Sequence, residues 1–167
     1  MFQTDRLIIK PFEKEDQERM ILLLTNEQIK KTYMIPDFDS VEKVIQLFER
    51  MRELSYSEER FVRGIFLDDK VIGMVNDVGI EDEKIEVGYM LDPECHNQGY
   101  GTEMLRGTIA YLFEKGYVEV MAGAFEGNIA SRRIMEKAGM IQTDVVDEIE
   151  YRGVTYKCAN YSIKKEK

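Results

Sequence analysis

In the stretch PECHNQGYGTEM, residues 93–104, one glycine precedes a tyrosine and another follows it. The stretch lies at the junction between a strand-type segment and a helical one. Glycine lets backbone N–H groups turn outward and approach a ligand closely. The first N–H groups of a helix have no intrahelical partner, and the helix dipole adds about half a positive charge there. The junction therefore predicts either an anion site suited to a pyrophosphate or a tight turn that only reverses the chain.

Two well-known phosphate loops do not fit these residues. A Walker A loop requires a lysine directly after its last glycine, and no lysine follows Gly101. A dinucleotide-binding fingerprint requires a third glycine at the position of Met104, and it follows an early strand of a parallel sheet. Both nucleotide-binding classes are therefore excluded.

The segments around the junction predict a mixed fold. Residues 59–93 consist of three strand-type runs joined by the acidic connectors DDK and EDEK, which indicates an antiparallel meander. TDRLIIKPF, near the N-terminus, predicts a strand that Pro11 ends. Two amphipathic helices are expected over residues 13–24 and 41–54, the second with Ser40 as its N-cap. The apolar face of this second helix is expected to hold Val41, Val44, Ile45, Phe48 and Met51.

After the junction, the pattern alternates between helix and strand. A helix that Gly116 ends is followed by the strand YVEVMAGAF, and a short helix then runs from an N-cap at Asn128 to a terminator at Gly139. VTYKCANYSI is the last strand. This order predicts a mixed sheet with helices on its faces, an α+β or α/β sandwich, in a single domain over residues 1–167.

Composition narrows the classes of function. The 167 residues carry a net charge of −9, and the only basic cluster is the terminal KKEK, so we expect no nucleic-acid partner. The acidic balance either favours a cationic substrate or is simply that of an acidic soluble protein. No apolar run approaches the ~20 residues that span a bilayer. With two cysteines and one histidine, we expect no metal and a reducing, cytoplasmic location.

Two segments together resemble a known family. IEVGYMLDPECHNQGYGTEML followed by GNIASRRIMEKAGM is similar to the acetyl-CoA-binding core of the GNAT N-acetyltransferases, within them the RimJ/RimL-like branch. The resemblance implies a mostly antiparallel central sheet with helices on both faces and a splayed central strand pair. It also implies transfer of an acetyl group from acetyl-CoA to a primary amine, on a protein or peptide N-terminus, a polyamine or another small amine. Homodimers are common in the family.

Carried over residue by residue, the resemblance assigns a cofactor site. The family loop [Q/R]-x-x-G-x-[G/A] falls on residues 96–101, where His96 replaces the usual glutamine or arginine. Backbone groups of the loop and the first helical turn would bind the pyrophosphate, and the backbone of Leu91 would bind the pantetheine arm. Asn128 would reach the pantetheine or the reacting centre, and Ser131 would face the sulfur. The loop residues in this set are Gln98, Gly99, Tyr100, Gly101 and Thr102.

The resemblance is less definite about catalysis. Glu86 lies where relatives often carry a base, but the alternative, a solvent-facing strand glutamate, is at least as well supported by the residues. Many GNAT enzymes use a tyrosine as acid where this chain has Met135, so Ser131 is the candidate acid here. His96 is expected to be a loop residue rather than a base. The acceptor site is expected from the first two helices, from residues 32–40 and from residues 148–156. A non-catalytic acyl-CoA-binding protein and a purely structural domain remain the alternatives.

Overall fold

The computed structural model describes residues 1–166, and its elements follow the predicted order. The strands are β1 (Phe2–Gln3), β2 (Ile8–Lys10), β3 (Val62–Leu67), β4 (Lys70–Glu81), β5 (Lys84–Leu91), β6 (Glu119–Phe125), β7 (Ile141–Tyr151) and β8 (Val154–Lys164). The helices are α1 (Gln17–Leu24), α2 (Glu27–Lys30), α3 (Val41–Ser55), α4 (Tyr100–Glu114) and α5 (Ile129–Lys137).

The eight strands form one mostly antiparallel sheet in the order β1-β2-β3-β4-β5-β6-β8-β7. The parallel pair is β5 with β6, where Lys84–Val87 faces Glu119–Ala122. This ladder ends at Val87, although β5 continues to Leu91 and β6 to Phe125. The predicted mixed α/β fold is confirmed, and the early end of the ladder agrees with a strand pair that splays apart.

The chain forms two compact units. The first comprises Met1–Asn76 and Tyr89–Tyr100, and the second comprises Asp77–Gly88 and the chain from Gly101 onward. Each unit contains parts of β4 and β5. The assignment of residues 1–167 to one domain stays a prediction.

Helix α3 supplies much of the core of the first unit. Ser40 caps it as predicted, its Oγ accepting a hydrogen bond from the backbone N–H of Lys43 at 3.4 Å. Val44, Phe48 and Met51 are buried at helical spacing. Val41 has the spacing of the same face, but it is 57% exposed. A first-turn side chain points back towards the helix N-terminus and so misses the core. The buried cluster also includes Phe12, Met20, Leu23, Leu24, Phe66 and Met90.

The N-terminal segment departs from prediction in two ways. The strand expected over residues 4–12 is confined to β2, and a turn in which the N–H of Thr4 donates to the Leu7 carbonyl at 2.9 Å joins it to a further short antiparallel strand, β1. The helix expected from residue 13 begins as a 3-10 turn, Lys14–Asp16, and becomes α-helical at Gln17. A capping box between Glu13 and Asp16 stabilises that turn.

The second unit contains the predicted helix ends. Gly116 and Gly139 follow α4 and α5 with left-handed φ values of 103° and 93°, which glycine adopts without steric cost. Asn128 caps α5 through its side chain. The β7–β8 hairpin turns at Arg152 and Gly153, both with positive φ. The core of this unit includes Leu105, Leu112, Val120, Ala122, Met135 and Tyr161.

Two glycines of β4 provide a test of the packing. A Cβ on Gly73 would overlap the carbonyl oxygen of Met90 and lie 2.9 Å from Leu91 Cδ2, whereas a Cβ on Gly79 would meet nothing within 4 Å. Overpacking of this kind costs roughly 1–3 kcal/mol. We therefore expect Gly73→Ala to lower the free energy of unfolding, measured by urea titration, by about that amount. Gly79→Ala is the matched control and should change it by less than about 0.5 kcal/mol. Equal effects would contradict the packing.

Candidate active site

The loop that follows β5 is anchored at its first residue, Asp92. This buried carboxylate forms an ion pair with Arg19 of α1 and accepts a hydrogen bond from the N–H of Glu94 at 3.0 Å. The N–H of Asp92 donates to the Ile72 carbonyl at 2.7 Å. Side-chain and backbone bonds therefore fix where the loop begins.

Within the loop, two side chains contact the main chain through hydrogen-bonding groups. Gln98 Nε2 donates to the Glu94 carbonyl at 3.0 Å, and Nε2 of the exposed His96 lies 3.1 Å from the Leu91 carbonyl oxygen. Asn97 and Gly99 have φ values of 59° and 84°, in the left-handed region. The structure therefore places His96 against the loop's own backbone, and the carbonyl oxygen of Leu91 already has a partner.

Helix α4 begins without a side-chain cap. The side chains that cap α2, α3 and α5 belong to Asn26, Ser40 and Asn128. The residue before α4 is Gly99, which has no side-chain oxygen that could accept a hydrogen bond from the first turn. The N–H groups of Gln98 and Gly99 have no acceptor among residues 1–166. The first N–H groups of any helix also lack a partner inside it. A run of backbone donors is thus left for an anion.

Arg6 lies on this loop, which the sequence did not predict. Its Nη1 donates to the Gln98 carbonyl at 3.0 Å, and its guanidinium carbon lies 4.3 Å from the centroid of the Tyr100 ring. Its Nη2 would lie 3.2 Å from a Cβ on Gly99. In the sequence Arg6 is only a cation within the predicted first strand, and nothing local connects it to a loop 92 residues away.

Glu86 is a half-buried carboxylate in the second unit. It lies on β5 between the buried residues Ile85 and Val87, so it belongs to the opposite face of the strand from theirs. A Cβ on Gly123 of β6 would lie 3.8 Å from Glu86 Oε1. Among the residues that the structure describes, no hydrogen bond or ion pair satisfies this carboxylate. Burial raises the pKa of Glu86, and the nearby charge of Asp147 raises it further.

Asp147 and Asn160 extend this face of the sheet, and sequence reasoning missed both. Asn160 Nδ2 donates to Asp147 Oδ2 at 2.9 Å and to the Val145 carbonyl at 3.1 Å. Asn160 faces Gly123 in the β6–β8 ladder, and Asp147 faces Cys158 in the β7–β8 ladder. Burial raises the pKa of the Cys158 thiol, and the charges of Asp147 and Glu86 raise it further. These contacts define the acidic face of the second unit: Glu86, Asp147 and Asn160.

Asn128 and Ser131 are neighbours at the start of α5. Asn128 Oδ1 accepts a hydrogen bond from the Ser131 N–H at 3.2 Å, so the predicted capping role of Asn128 is confirmed. Its amide nitrogen has no partner within the described part of the chain and is available to donate. Ser131 is half-buried. Met135, where many relatives carry a tyrosine, is buried in the core and offers no proton.

The predicted acceptor-site residues of the first unit differ in their surroundings. Tyr33 OH donates to Asn76 Oδ1 at 2.5 Å, and burial raises the pKa of this phenol. Tyr33 and Phe38 both pack against the core cluster, whereas Met34 is 48% exposed. Tyr33 and Phe38 therefore serve the packing of this unit.

Residues 1–166 lack two further features. No group of three or more histidine, cysteine, aspartate or glutamate side chains lies close enough together to hold a metal ion. No helix of the described chain has the length and apolar character needed to cross a membrane.

The chain is similar in sequence to known acetyltransferases. Residues 6–141 match the family model described as acetyltransferase (GNAT) domain. The uncharacterized N-acetyltransferase YoaA of Bacillus subtilis (strain 168) is 28% identical over 172 residues, which cover 99% of this chain and 97% of that protein.

Three solved structures share the fold over nearly their whole length. The microcin C7 self-immunity acetyltransferase MccE, in complex with acetyl-CoA and AMP, has a TM-score of 0.84 and 19% identity and covers 96% of this chain and 93% of its own. RimL, a ribosomal L7/L12 alpha-N-protein acetyltransferase in complex with coenzyme A, has 0.83 and 15%, covering 96% and 95%. Spermidine N-acetyltransferase from Vibrio cholerae, in complex with CoA and spermine, has 0.80 and 16%, covering 95% of each chain.

Because the pKa of Glu86 is raised in the folded protein, we expect the stability of the fold to depend on pH. The folded protein binds the Glu86 proton more tightly than the unfolded chain, whose pKa is near 4.5, so ionised Glu86 destabilises the fold as the pH rises through and above that value. Glu86→Gln cannot ionise at this position. We therefore expect its melting temperature to exceed that of the wild type at neutral pH and to match it below the unfolded pKa.

Glu58→Gln is the matched control, because it removes the same charge from an exposed loop position. It should leave the melting temperature nearly unchanged at both pH values. If Glu86→Gln gives no gain at neutral pH, the environment assigned to Glu86 is wrong.

Proposed function

Because the chain belongs to the GNAT acetyltransferase family, we propose that it is an acetyl-CoA-dependent N-acetyltransferase whose acceptor is a primary amine. One observation carries the proposal: Glu86 is a half-buried carboxylate with a raised pKa and no cationic partner in the described chain. Perturbed carboxylates of this kind occur at functional sites, and burial raises the pKa of Glu86 in the direction that makes a carboxylate a stronger base.

The loop before α4 suits the pyrophosphate of coenzyme A. It offers backbone N–H groups without acceptors at the positive end of a helix dipole, and Gly99 adds no side chain that would obstruct an anion. We assign the pyrophosphate to the N–H groups of Gln98, Gly99, Gly101 and Thr102, with Tyr100 in the same turn. Two of the solved relatives are complexes with coenzyme A and one is a complex with acetyl-CoA.

The remaining cofactor contacts are assigned to three residues. The backbone of Leu91 bonds to the pantetheine arm as an added strand does. Asn128 donates its free amide N–H, because its oxygen is already engaged in capping α5. Ser131, in the same turn, faces the sulfur.

In the proposed reaction, acetyl-CoA supplies the acetyl group as a thioester, and a C–N bond to the amine forms as the C–S bond breaks. Glu86, directly or through water, first takes the ammonium proton and passes it to solvent, which leaves a neutral amine to attack. It then takes the proton that the nitrogen loses as the C–N bond forms. The Ser131 hydroxyl donates a hydrogen bond to the departing sulfur as negative charge develops on it. The proton on Glu86 passes to solvent, which in turn protonates the sulfur, so charge and protons balance.

The acceptor is assigned as a class rather than as a compound. The net charge of −9 and the acidic face, Glu86, Asp147 and Asn160, favour a protonated amine over an anionic acceptor. The structural relatives include a spermidine acetyltransferase and a ribosomal-protein α-amine acetyltransferase. Polyamines and peptide α-amines are therefore the first acceptors to test. Association into a homodimer stays a prediction.

The proposal is tested by an acceptor panel in which thiol release from acetyl-CoA is measured with polyamines, α-amino peptides and aminoglycosides. We expect amine-dependent thiol release. Glu86→Gln should reduce the turnover number about 100-fold or more, as for loss of a general base. Ser131→Ala should lower turnover more than it weakens coenzyme A binding, and Glu58→Gln should match the wild type. Calorimetric binding of acetyl-CoA without thiol release for any amine would instead indicate a non-catalytic acyl-CoA-binding protein.

A further inference from the structure

We propose that Arg6 is a positioning residue of the cofactor loop, which holds the Gln98 carbonyl and thereby directs the Gly99 N–H towards the pyrophosphate. The inference rests on the proposed function, because it concerns the same loop. It adds a residue from the first segment of the chain, outside the family loop pattern.

The peptide bond between Gln98 and Gly99 transmits this effect. The chain contains no cis peptide bond among its described residues, and in a planar trans peptide the C=O and N–H point in opposite directions. Because Arg6 Nη1 holds the Gln98 oxygen at 3.0 Å, the Gly99 N–H points away from the guanidinium. The hydrogen bond is charge-assisted, which makes it about twice as strong as a neutral one.

Gly99 requires such a restraint. Glycine occupies many backbone conformations, so the peptide before it rotates easily unless a contact holds it. The φ of 84° at Gly99 is one of several values that it can adopt. A fixed carbonyl removes this freedom before the ligand arrives, and a preorganised donor binds more tightly because less entropy is lost on binding.

The same guanidinium also restrains the residue after Gly99. It stacks 4.3 Å above the ring of Tyr100, the first residue of α4. Arg6 thus contacts the residues on both sides of the glycine. A planar guanidinium can stack on a ring while its edge donates a hydrogen bond, whereas a lysine ammonium carries the same charge without this geometry. The substitution Arg6→Lys therefore keeps the positive charge but removes the group that orients the Gln98 carbonyl and the Tyr100 ring.

The test is the dissociation constant of coenzyme A, measured by calorimetry for the wild type, Arg6→Ala and Arg6→Lys. We expect Arg6→Ala to weaken binding about tenfold or more, as for loss of a hydrogen bond from a charged donor. Arg6→Lys should weaken it nearly as much. Pantetheine, which lacks the pyrophosphate, should bind all three proteins equally. Arg50→Ala is the matched control: it removes the same charge from an exposed position on α3 and should bind coenzyme A as the wild type does.

Each outcome decides a different point. Wild-type affinity in Arg6→Ala, or in Arg6→Lys, would overturn the positioning role, the second by showing that charge alone suffices. Equal losses in Arg6→Ala and Arg50→Ala would overturn it in favour of a general charge effect. If the wild type itself does not bind coenzyme A, the proposed function fails together with this inference. Should Arg6→Ala fail to fold, as judged by circular dichroism, Arg6→Lys decides.

Discussion

The start of α4 is the constraint on which the site depends. The preceding residue cannot cap its first turn, because that residue is Gly99, which has no side chain. The backbone of Gly99 is left-handed, with a φ of 84°. In α2, α3 and α5 a side-chain oxygen accepts the corresponding hydrogen bonds. The absence of a cap leaves donors and a positive dipole end exposed to ligand, and an anion such as a pyrophosphate satisfies them without any lysine.

In the second unit, the half-buried carboxylate of Glu86 lowers the stability of the fold. Glu86 lies half-buried near Asp147, and the fold provides neither a cation nor a hydrogen bond for it within the described chain. Asp147 is held in place by Asn160, so the repulsion between the two carboxylates persists. A fold selected for stability alone would pair or replace such a group, whereas the proposed function, in which Glu86 deprotonates an amine, requires it.

The sequence predicted the local features of this fold well. Helix caps and helix ends depend on contacts within a few residues, so the neighbouring sequence is enough to predict them. The examples are the caps at Ser40 and Asn128 and the helix-ending glycines Gly116 and Gly139. The exposure of Val41 could not be predicted, because helical periodicity gives the face of a residue but not whether the core extends to the first turn.

Features that depend on distant residues could not be predicted in this way. Arg6 meets the Gln98 loop only after the first unit folds, and Asp147 approaches Glu86 only through the register of three strand pairs. The resemblance to the GNAT family supplied the candidate roles of Glu86, Asn128 and Ser131. No pattern in the residues alone distinguishes a half-buried Glu86 from a solvent-facing one.

The central claim, that bare backbone at Gly99 receives the pyrophosphate, is tested most directly by calorimetric titration of coenzyme A into Gly99→Glu and Gly153→Glu. The two glycines have similar left-handed φ values, 84° and 75°, so both substitutions add the same charge at similar backbone strain. The two positions differ in the space around them: Arg6 Nη2 would lie 3.2 Å from a Cβ on Gly99, so this side-chain end must shift by a few tenths of an ångström, whereas nothing lies within 4 Å of a Cβ on Gly153. Loss of detectable binding in Gly99→Glu, with wild-type affinity in Gly153→Glu, is the predicted result. Wild-type affinity in Gly99→Glu would contradict it.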